Sequence, residues 1–287
     1  DLSVLILGET GTGKEVTARA IHAASARAAM PLVALNCAAV PESLLAVELF
    51  GCKKGAYTGA VGDRQGRIEA AGGSTLFLDE VGDMPISMQV ALLRVLEDKK
   101  VTRVGENEER PVDFRLIAAT SKDLDAEVEA GRFRVDLLYR LRELAITLPP
   151  LRDRGADVLL LSQLFLRQAE RQLGLSPRKL GRDAQALLGA HAFPGNVREL
   201  RAVMRRACIL ADGDTIGADH LQLDAVARSQ SAQSDLGALD LPLEQARDQF
   251  VIRYVSAVLE RYEGNREAAA AALGISVRSL YRYLSPA

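Results

Sequence analysis

The chain has 287 residues, enough for about two domains at roughly 150 residues each, and its 48% hydrophobic and 26% charged residues exclude a disordered tail, a collagen-like repeat and a small disulfide-stapled scaffold. With 36 Lys+Arg against 38 Asp+Glu the formal charge is -2, so the overall balance gives no sign of nucleic-acid binding and any such contact has to come from a local patch. Cys37, Cys52 and Cys208 lie far apart without a CxxC pair, as in a reducing compartment, and no apolar run approaches the roughly 20 residues that span a bilayer, so a cytoplasmic protein without a membrane segment is expected.

The first apolar run, Leu2-Leu7, reads as a strand and passes directly into Gly8-Glu9-Thr10-Gly11-Thr12-Gly13-Lys14 and a helix from Glu15 to Ala26. No basic and apolar leader precedes it, and because the chain opens inside a fold an upstream segment is expected. Further runs at Leu32-Leu35, Thr75-Leu78, Leu116-Ala119 and Leu144-Leu148 alternate with helical patterns. Strands alternating with helices predict an α/β fold with a parallel sheet covered on both faces. From Ala156 to about Leu223 the pattern is helical without a strand, broken at Gly174, Pro177 and Pro194-Gly195. A segment rich in Ser, Gln and Ala then reads as a linker. The expected divisions are 1–153, 154–225, a linker over 226–242 and a last small unit over 243–287.

In that last unit Phe250, Val251, Tyr254, Val258 and Leu259 share one helical face, and Gly264-Asn265 ends that helix and opens the next. The second helix, Arg266 to Leu273, is mostly alanine. Gly274 supplies a left-handed turn, and Ser276 caps a third helix, Val277 to Leu284.

The chemistry begins at Gly8 to Lys14, a glycine-rich loop between a strand and a helix. Glycines let successive backbone N–H groups turn inward, the helix N-terminus adds its positive end, and Lys14 brings a point charge to the β- and γ-phosphates of a nucleotide. Glu15 follows where such loops usually carry Ser or Thr for magnesium, and it either reaches the ion itself or leaves that job to other groups. Ser74 to Glu80 is an apolar strand ending in two carboxylates. Asp79 is the candidate Mg²⁺ ligand and Glu80 the candidate base for the attacking water. In an open α/β sheet ligands bind where strands end, which puts this pair and the loop at one edge. Loop and carboxylates together point to a nucleoside-triphosphate hydrolase using Mg²⁺. His22, His191 and His220 form no metal pair and read as ordinary helical residues.

With these residues the sequence resembles the AAA+ ATPases, and more narrowly the bacterial enhancer-binding activators of sigma-54 RNA polymerase, the NtrC-like family. The most specific stretch is Gly55-Ala56-Tyr57-Thr58-Gly59-Ala60, similar to the family's GAFTGA loop with Tyr for Phe, after Glu48-Leu49-Phe50-Gly51. Asn36-Cys37-Ala38-Ala39, Phe133-Arg134-Val135-Asp136-Leu137, Leu148-Pro149-Pro150-Leu151-Arg152 and Pro194-Gly195-Asn196-Val197-Arg198-Glu199-Leu200 follow in the family's order. The ending resembles the Fis-type helix-turn-helix.

The resemblance implies an AAA+ core with a helical lid, a homo-oligomeric ring of six or seven subunits assembled from dimers, and ATP turnover that moves the Tyr57 loop against sigma-54 to open the promoter complex. It implies that Asn36 restrains Glu80, that Thr120 and Ser121 occupy the first-sensor position, and that Arg198 is the second sensor. Ser121 stands where the family commonly has Asn and offers one hydroxyl for an amide's two groups. Arg134 and Arg140 match the arginine fingers given to a neighbour's γ-phosphate. On one regular helix they would point about 120° apart, so both can serve only if the helix starts between them. An Arg134–Asp136 pair and a solvated Arg140 form the structural alternative. Arg103 matches a further arginine near the subunit boundary. Asn196 and Glu199 have the spacing of a capping box, which leaves Arg198 free for a ligand.

For the last unit, residues 265–284 hold three arginines against one glutamate, a local charge of +2. Arg278, Ser279, Tyr281 and Arg282 on its third helix are candidates for contact with double-stranded DNA, with a three-helix dimerisation module as the alternative. Two rivals to the whole assignment are an AAA+ motor acting on DNA or protein, which has no use for the GAYTGA loop, and a DNA-binding repressor whose ATPase only sets its assembly. Sigma-54 binding during ATP turnover separates all three.

Overall fold

In the computed structural model the described residues are 2–56, 62–223, 255, 259, 262, 265–275 and 280. The chain divides into two compact units, Asp1–Gln222 and Leu223–Ala287.

The first unit starts with β1 (Val4–Leu7), α1 (Lys14–Ala23), β2 (Val33–Asn36) and α2 (Glu42–Phe50). An antiparallel pair, β3 (Gly51–Cys52) and β4 (Arg64–Gln65), brackets the loop that contains Tyr57, and α3 (Arg67–Ala70) follows. Then come β5 (Thr75–Asp79), α4 (Ile86–Asp98), the hairpin β6 (Lys100–Thr102) and β7 (Glu109–Pro111), β8 (Arg115–Thr120), α5 (Leu124–Glu129), α6 (Val135–Leu141) and β9 (Leu144–Thr147). The five expected strands form one parallel sheet in the order β2-β5-β8-β1-β9.

Strand residues alternate between faces, and both faces are buried. Val4, Ile6, Phe77, Ile117 and Ala119 pack with Ala18 on one side, under α1. Leu5, Leu76, Leu78, Leu116 and Ala118 face the other way and meet α2, α4 and α6 through residues such as Leu45, Leu92 and Leu137. A fully buried aliphatic or aromatic side chain contributes about 1.5–3 kcal/mol, so these two layers hold the sheet ends in place. Asp123 caps α5, its Oδ1 accepting from the N–H groups of Asp125 at 3.0 Å and Ala126 at 3.3 Å.

The remainder of this unit is helical: α7 (Asp157–Leu173), α8 (Arg182–Ala190), α9 (Asn196–Leu210) and α10 (Ala218–Leu221). Val158, Ser162, Leu166 and Ala169 fall on one face of α7, and Leu200, Val203, Met204 and Ala207 form the buried face of α9. The sequence reading of this region without strands needs correction, because β10 (Lys179–Leu180) pairs in parallel with β11 (Thr215–Ile216). Two residues are too few for alternation to register, and their partners lie far apart in sequence.

In the second unit, α11 (Arg266–Leu273) matches the expected second helix. Asn265 Oδ1 accepts from Ala268 N–H at 3.2 Å, and Gly274 takes a left-handed φ of 66°. Val255, Ala270 and Leu280 are buried together against Leu259, Leu273 and Ile275. Val255 was absent from the apolar face read in the sequence. Phe250, Val251, Tyr254 and Val258, the linker, Ser276, and Arg278, Ser279, Tyr281 and Arg282 lie outside the described residues. Among the described residues no helix is long and apolar enough to cross a membrane.

Candidate functional site

Gly8 to Lys14 leaves β1 and enters α1, as the sequence implies. Gly11 has φ 81°, and a Cβ there would come within 2.4 Å of the Gly195 carbonyl oxygen, so no other residue fits. Gly13 ends the loop at φ 107°. The Gly11 carbonyl accepts from the N–H groups of Val197 at 2.9 Å and Arg198 at 3.3 Å, which seats the loop on the first turn of α9.

Lys14 is 6% exposed. Its Nζ donates to the carbonyl of Gly8 at 2.9 Å and lies 3.3 Å from Glu80 Oε1. Loop and strand carboxylates therefore meet at the carboxyl end of the parallel sheet. They share a cavity of about 300 Å³ with Thr10, Gly13, Glu15, Arg198 and Arg201. That is at the small end of the range for ligand pockets. Glu15 lines it while binding Arg19 one turn on, at 2.7 Å.

Asp79 has its pKa raised, first by burial and then by the charge of Glu80, with Lys14 opposing. A cation beside it would relieve that cost. Among the described residues no three His, Cys, Asp or Glu side chains gather as a metal cage. A single carboxylate suits Mg²⁺ delivered with phosphates, which keeps several of its own ligands.

The expected Asn36–Glu80 pair is a correction. Asn36 Nδ2 donates to Asp79 Oδ2 at 3.0 Å, and Asn36 Oδ1 accepts from the N–H groups of Ala38 and Ala39, each at 3.0 Å. The register explains it: Asn36 and Asp79 sit side by side on β2 and β5. Glu80 leaves the strand through a left-handed backbone, φ 50° and ψ 48°, and turns toward β8. There Ser121 donates to its Oε2 from the backbone N–H at 2.8 Å and from Oγ at 2.9 Å. Thr120 is fully buried, accepts from Lys122 N–H at 3.1 Å and does not line the cavity.

The capping role read for Asn196 also needs correction. Gly195 is the N-cap of α9, and only Glu199 reaches back, accepting from Gly195 N–H at 2.7 Å. Asn196 has φ 52° and no exposed surface. Its Oδ1 accepts from Leu151 N–H at 2.7 Å, and its Nδ2 donates to Glu9 Oε2 and the Thr10 carbonyl, both at 3.1 Å. Arg152 grips Glu9 with both terminal nitrogens, at 2.9 and 2.5 Å. Its hydrogen bonds, with that of Asn196, hold the Glu9 carboxyl down to about 2. Arg154 donates to the Thr12 carbonyl at 2.9 Å. Sequence reading missed Arg154 and Arg201, and it missed that Asn196 and Arg152 hold the phosphate loop through Glu9. The loop after Leu148 and the start of α9 are over forty positions apart, while Arg201 shows only in its spacing of three from Arg198.

Arg134 and Arg140 line no part of the cavity of their own chain. α6 begins immediately after Arg134, so the helix does start between them. Within the chain Arg134 forks onto Asp136 at 3.0 and 2.6 Å, and Arg140 binds Glu143 at 3.0 Å. Arg103 makes two 2.7 Å bonds to Glu69. Gly55 has φ 84°, and Ala56 lies against Gly105, whose added Cβ would stand 2.7 Å from that of Ala56. Tyr57, Thr58, Gly59 and Ala60 lie outside the described residues.

Residues 1–147 match the sigma-54 interaction domain family, just over half of the 287. The chain belongs to that family. Residues 152–237 match the AAA+ ATPase lid domain and 253–285 the Fis family of bacterial regulatory proteins. The chain is 45% identical over 278 residues to the response regulator protein PilR of Pseudomonas aeruginosa, covering 96% of this chain and 62% of that one. To the anaerobic nitric oxide reductase transcription regulator NorR of Escherichia coli it is 45% identical over 288 residues, 98% of this chain and 57% of that one. The chain thus spans about three fifths of the length of these relatives. NtrX from Brucella abortus is similar in structure in complex with ADP, at TM-score 0.73 and 37% identity, and with ATP, at 0.72 and 36%; each covers 99% of this chain and 63% of the other. The fold is that of this family: a parallel α/β core, a helical lid and a C-terminal helix-turn-helix domain.

Proposed function

We propose that this chain is an ATPase that activates sigma-54 RNA polymerase, working as a homo-oligomeric ring bound to DNA through its last unit. The approach of Lys14 to Glu80, 3.3 Å apart at the carboxyl end of the sheet, carries the reading, since it brings the phosphate loop and the catalytic carboxylates to one cavity. NtrX has been solved with both ATP and ADP, which supports nucleotide as the ligand.

In this reading the backbone of Gly8 to Gly13, with Glu9, Thr10 and Thr12, surrounds the phosphates and Lys14 supplies the positive charge. Asp79 holds Mg²⁺, which supplies charge neutralisation on the phosphates, and Asn36 fixes the Asp79 carboxylate. Glu80 accepts the proton of the attacking water. Arg198 and Arg201 carry positive charge from the lid to the same cavity. Arg134 and Arg140 act across a subunit boundary, exchanging Asp136 and Glu143 for a neighbour's phosphate. The loop Gly55 to Ala60 delivers the motion, with Tyr57 as the aromatic anchor on sigma-54. Arg278, Ser279, Tyr281 and Arg282 contact DNA. The working divisions are 1–153, 154–225, 226–242 and 243–287.

The test uses two variants. Glu80→Gln is expected to bind ATP and lose both hydrolysis and promoter opening, whereas Tyr57→Ala keeps hydrolysis and loses promoter opening. Promoter melting by Tyr57→Ala at the unaltered rate removes the loop from the mechanism, and hydrolysis by Glu80→Gln removes Glu80.

A further inference from the structure

A second cavity, of about 390 Å³, runs between α7 and α9. Arg198, Arg201 and Arg205 recur at three and four residues along α9, so they form one stripe along it, and Phe165 and Ile209 supply its apolar lining. The groove meets the nucleotide cavity at Phe165, Arg198 and Arg201, whereas Arg205 lines the groove alone. No acidic residue lines it, and among the described residues the side chains of Arg201 and Arg205 have no ion pair or hydrogen bond. Ile209, 58% exposed, packs on nothing beyond its rim. The opposite kind of surface stands on α6. Val135 and Tyr139, four residues apart on one face, are 50% and 74% exposed, and Asp136 between them is held by Arg134. The charges of the two regions also differ in sign: residues 1–153 carry 19 Lys+Arg against 23 Asp+Glu, and residues 154–222 carry 10 against 7.

We propose that the α7–α9 groove is the seat of a second copy of this chain, in which Tyr139 of the neighbouring copy packs on Phe165 and Ile209 and its Asp136 pairs with Arg205. This rests on the ring reading given above. An Arg134 that turns to a neighbour's phosphate leaves Asp136 without its cation, and a carboxylate left unpaired at an interface is costly. Asp136 is two residues from Arg134, at most about 7 Å along the chain. Arg205 is four residues from Arg201, about 6 Å along the helix axis. With Arg134 at the phosphate beside Arg201, Asp136 therefore falls one turn further out, at Arg205. An aromatic anchor in a pocket beside a charge pair is the make-up of an interface centre, and the guanidinium of Arg205 meets the Tyr139 ring as well as the carboxylate. Each surface supplies what the other lacks, apolar to apolar and acid to base.

The purified chain is followed by specific ATPase activity against protein concentration, by sedimentation with Mg²⁺ and ADP, and by binding of a fluorescent ADP analogue. Arg205→Glu and Tyr139→Ala are each expected to raise the concentration at half-maximal activity about tenfold. Affinity for the ADP analogue stays the same, because neither residue lines the nucleotide cavity. Asp136→Arg is expected to weaken association as Arg205→Glu does, and the two together to restore it in sedimentation. An Arg205→Glu curve that overlies the wild type, or a double variant that associates no better than either single one, overturns the pairing. Arg205→Glu that associates normally and binds a DNA duplex less tightly makes the groove a phosphate-backbone contact, and the second-copy assignment falls. Wild-type activity that does not change with concentration, with one sedimenting species of monomer mass, overturns the ring reading instead.

Discussion

At Asp79 the demands of stability and function oppose each other. Burial and the charge of Glu80 raise its pKa, so the folded chain disfavours the ionised form. The sign follows: a carboxyl with a raised folded pKa destabilises the fold above that pKa, and the penalty fades as pH falls through it. Asp79→Asn is therefore expected to raise the melting temperature of the nucleotide-free protein at neutral pH and to remove the extra stabilisation given by Mg²⁺ with ADP. Thermal melting with and without the ligand pair checks both halves. A lower melting temperature in the nucleotide-free variant would mean that the Asn36 bond at 3.0 Å outweighs desolvation. The burial of Cys37, next to Asp79, pushes its thiol up to about 12, the same environment acting on a neighbour. Lys14, Asp79 and Glu80 were legible because loop and strand motifs are contiguous. The partners of Asp79 and Glu80 were not, because strand register decides them.

The element that joins core to lid is the first turn of α9. Asn196 spends its whole side chain on Leu151, Glu9 and Thr10, and its backbone takes φ 52°. Removing that amide leaves a buried N–H unpaired, at about 1–3 kcal/mol, and puts a non-polar residue with a Cβ in the left-handed region, at about 1–2 kcal/mol. Asn196→Ala is expected to destabilise the first unit by about 2–5 kcal/mol in a urea titration. Asn196→Gly is expected to lose less, since glycine accepts the backbone. Equal losses in the two would show that the hydrogen bonds alone matter. Spacing in sequence gave Asn196 and Glu199 as a pair, but the docked phosphate loop took Asn196 for itself.

For the whole molecule, the arginines decide whether one chain is complete. Arg134 and Arg140 line no part of their own cavity and bind Asp136 and Glu143; in the proposed ring they would instead serve a neighbour's γ-phosphate. Lys14→Ala and Arg140→Ala are each expected to be inactive alone, and their mixture to regain ATPase activity, because a Lys14→Ala subunit can lend its Arg140 to an intact loop next door. Specific activity of the wild type should also rise with protein concentration. A mixture that stays inactive, with both variants folded, argues against fingers in trans. Composition and periodicity determined the α/β core, its five strands and the helical lid, because alternating burial leaves its mark on every strand. Motifs pointed to Lys14, Asp79 and Glu80 as the candidate site. Tertiary structure alone decided that Asn36 serves Asp79, that Ser121 serves Glu80 and that Asn196 locks the loop to the lid. Each of those contacts joins residues forty or more positions apart, whose meeting depends on sheet order and helix docking rather than on local pattern.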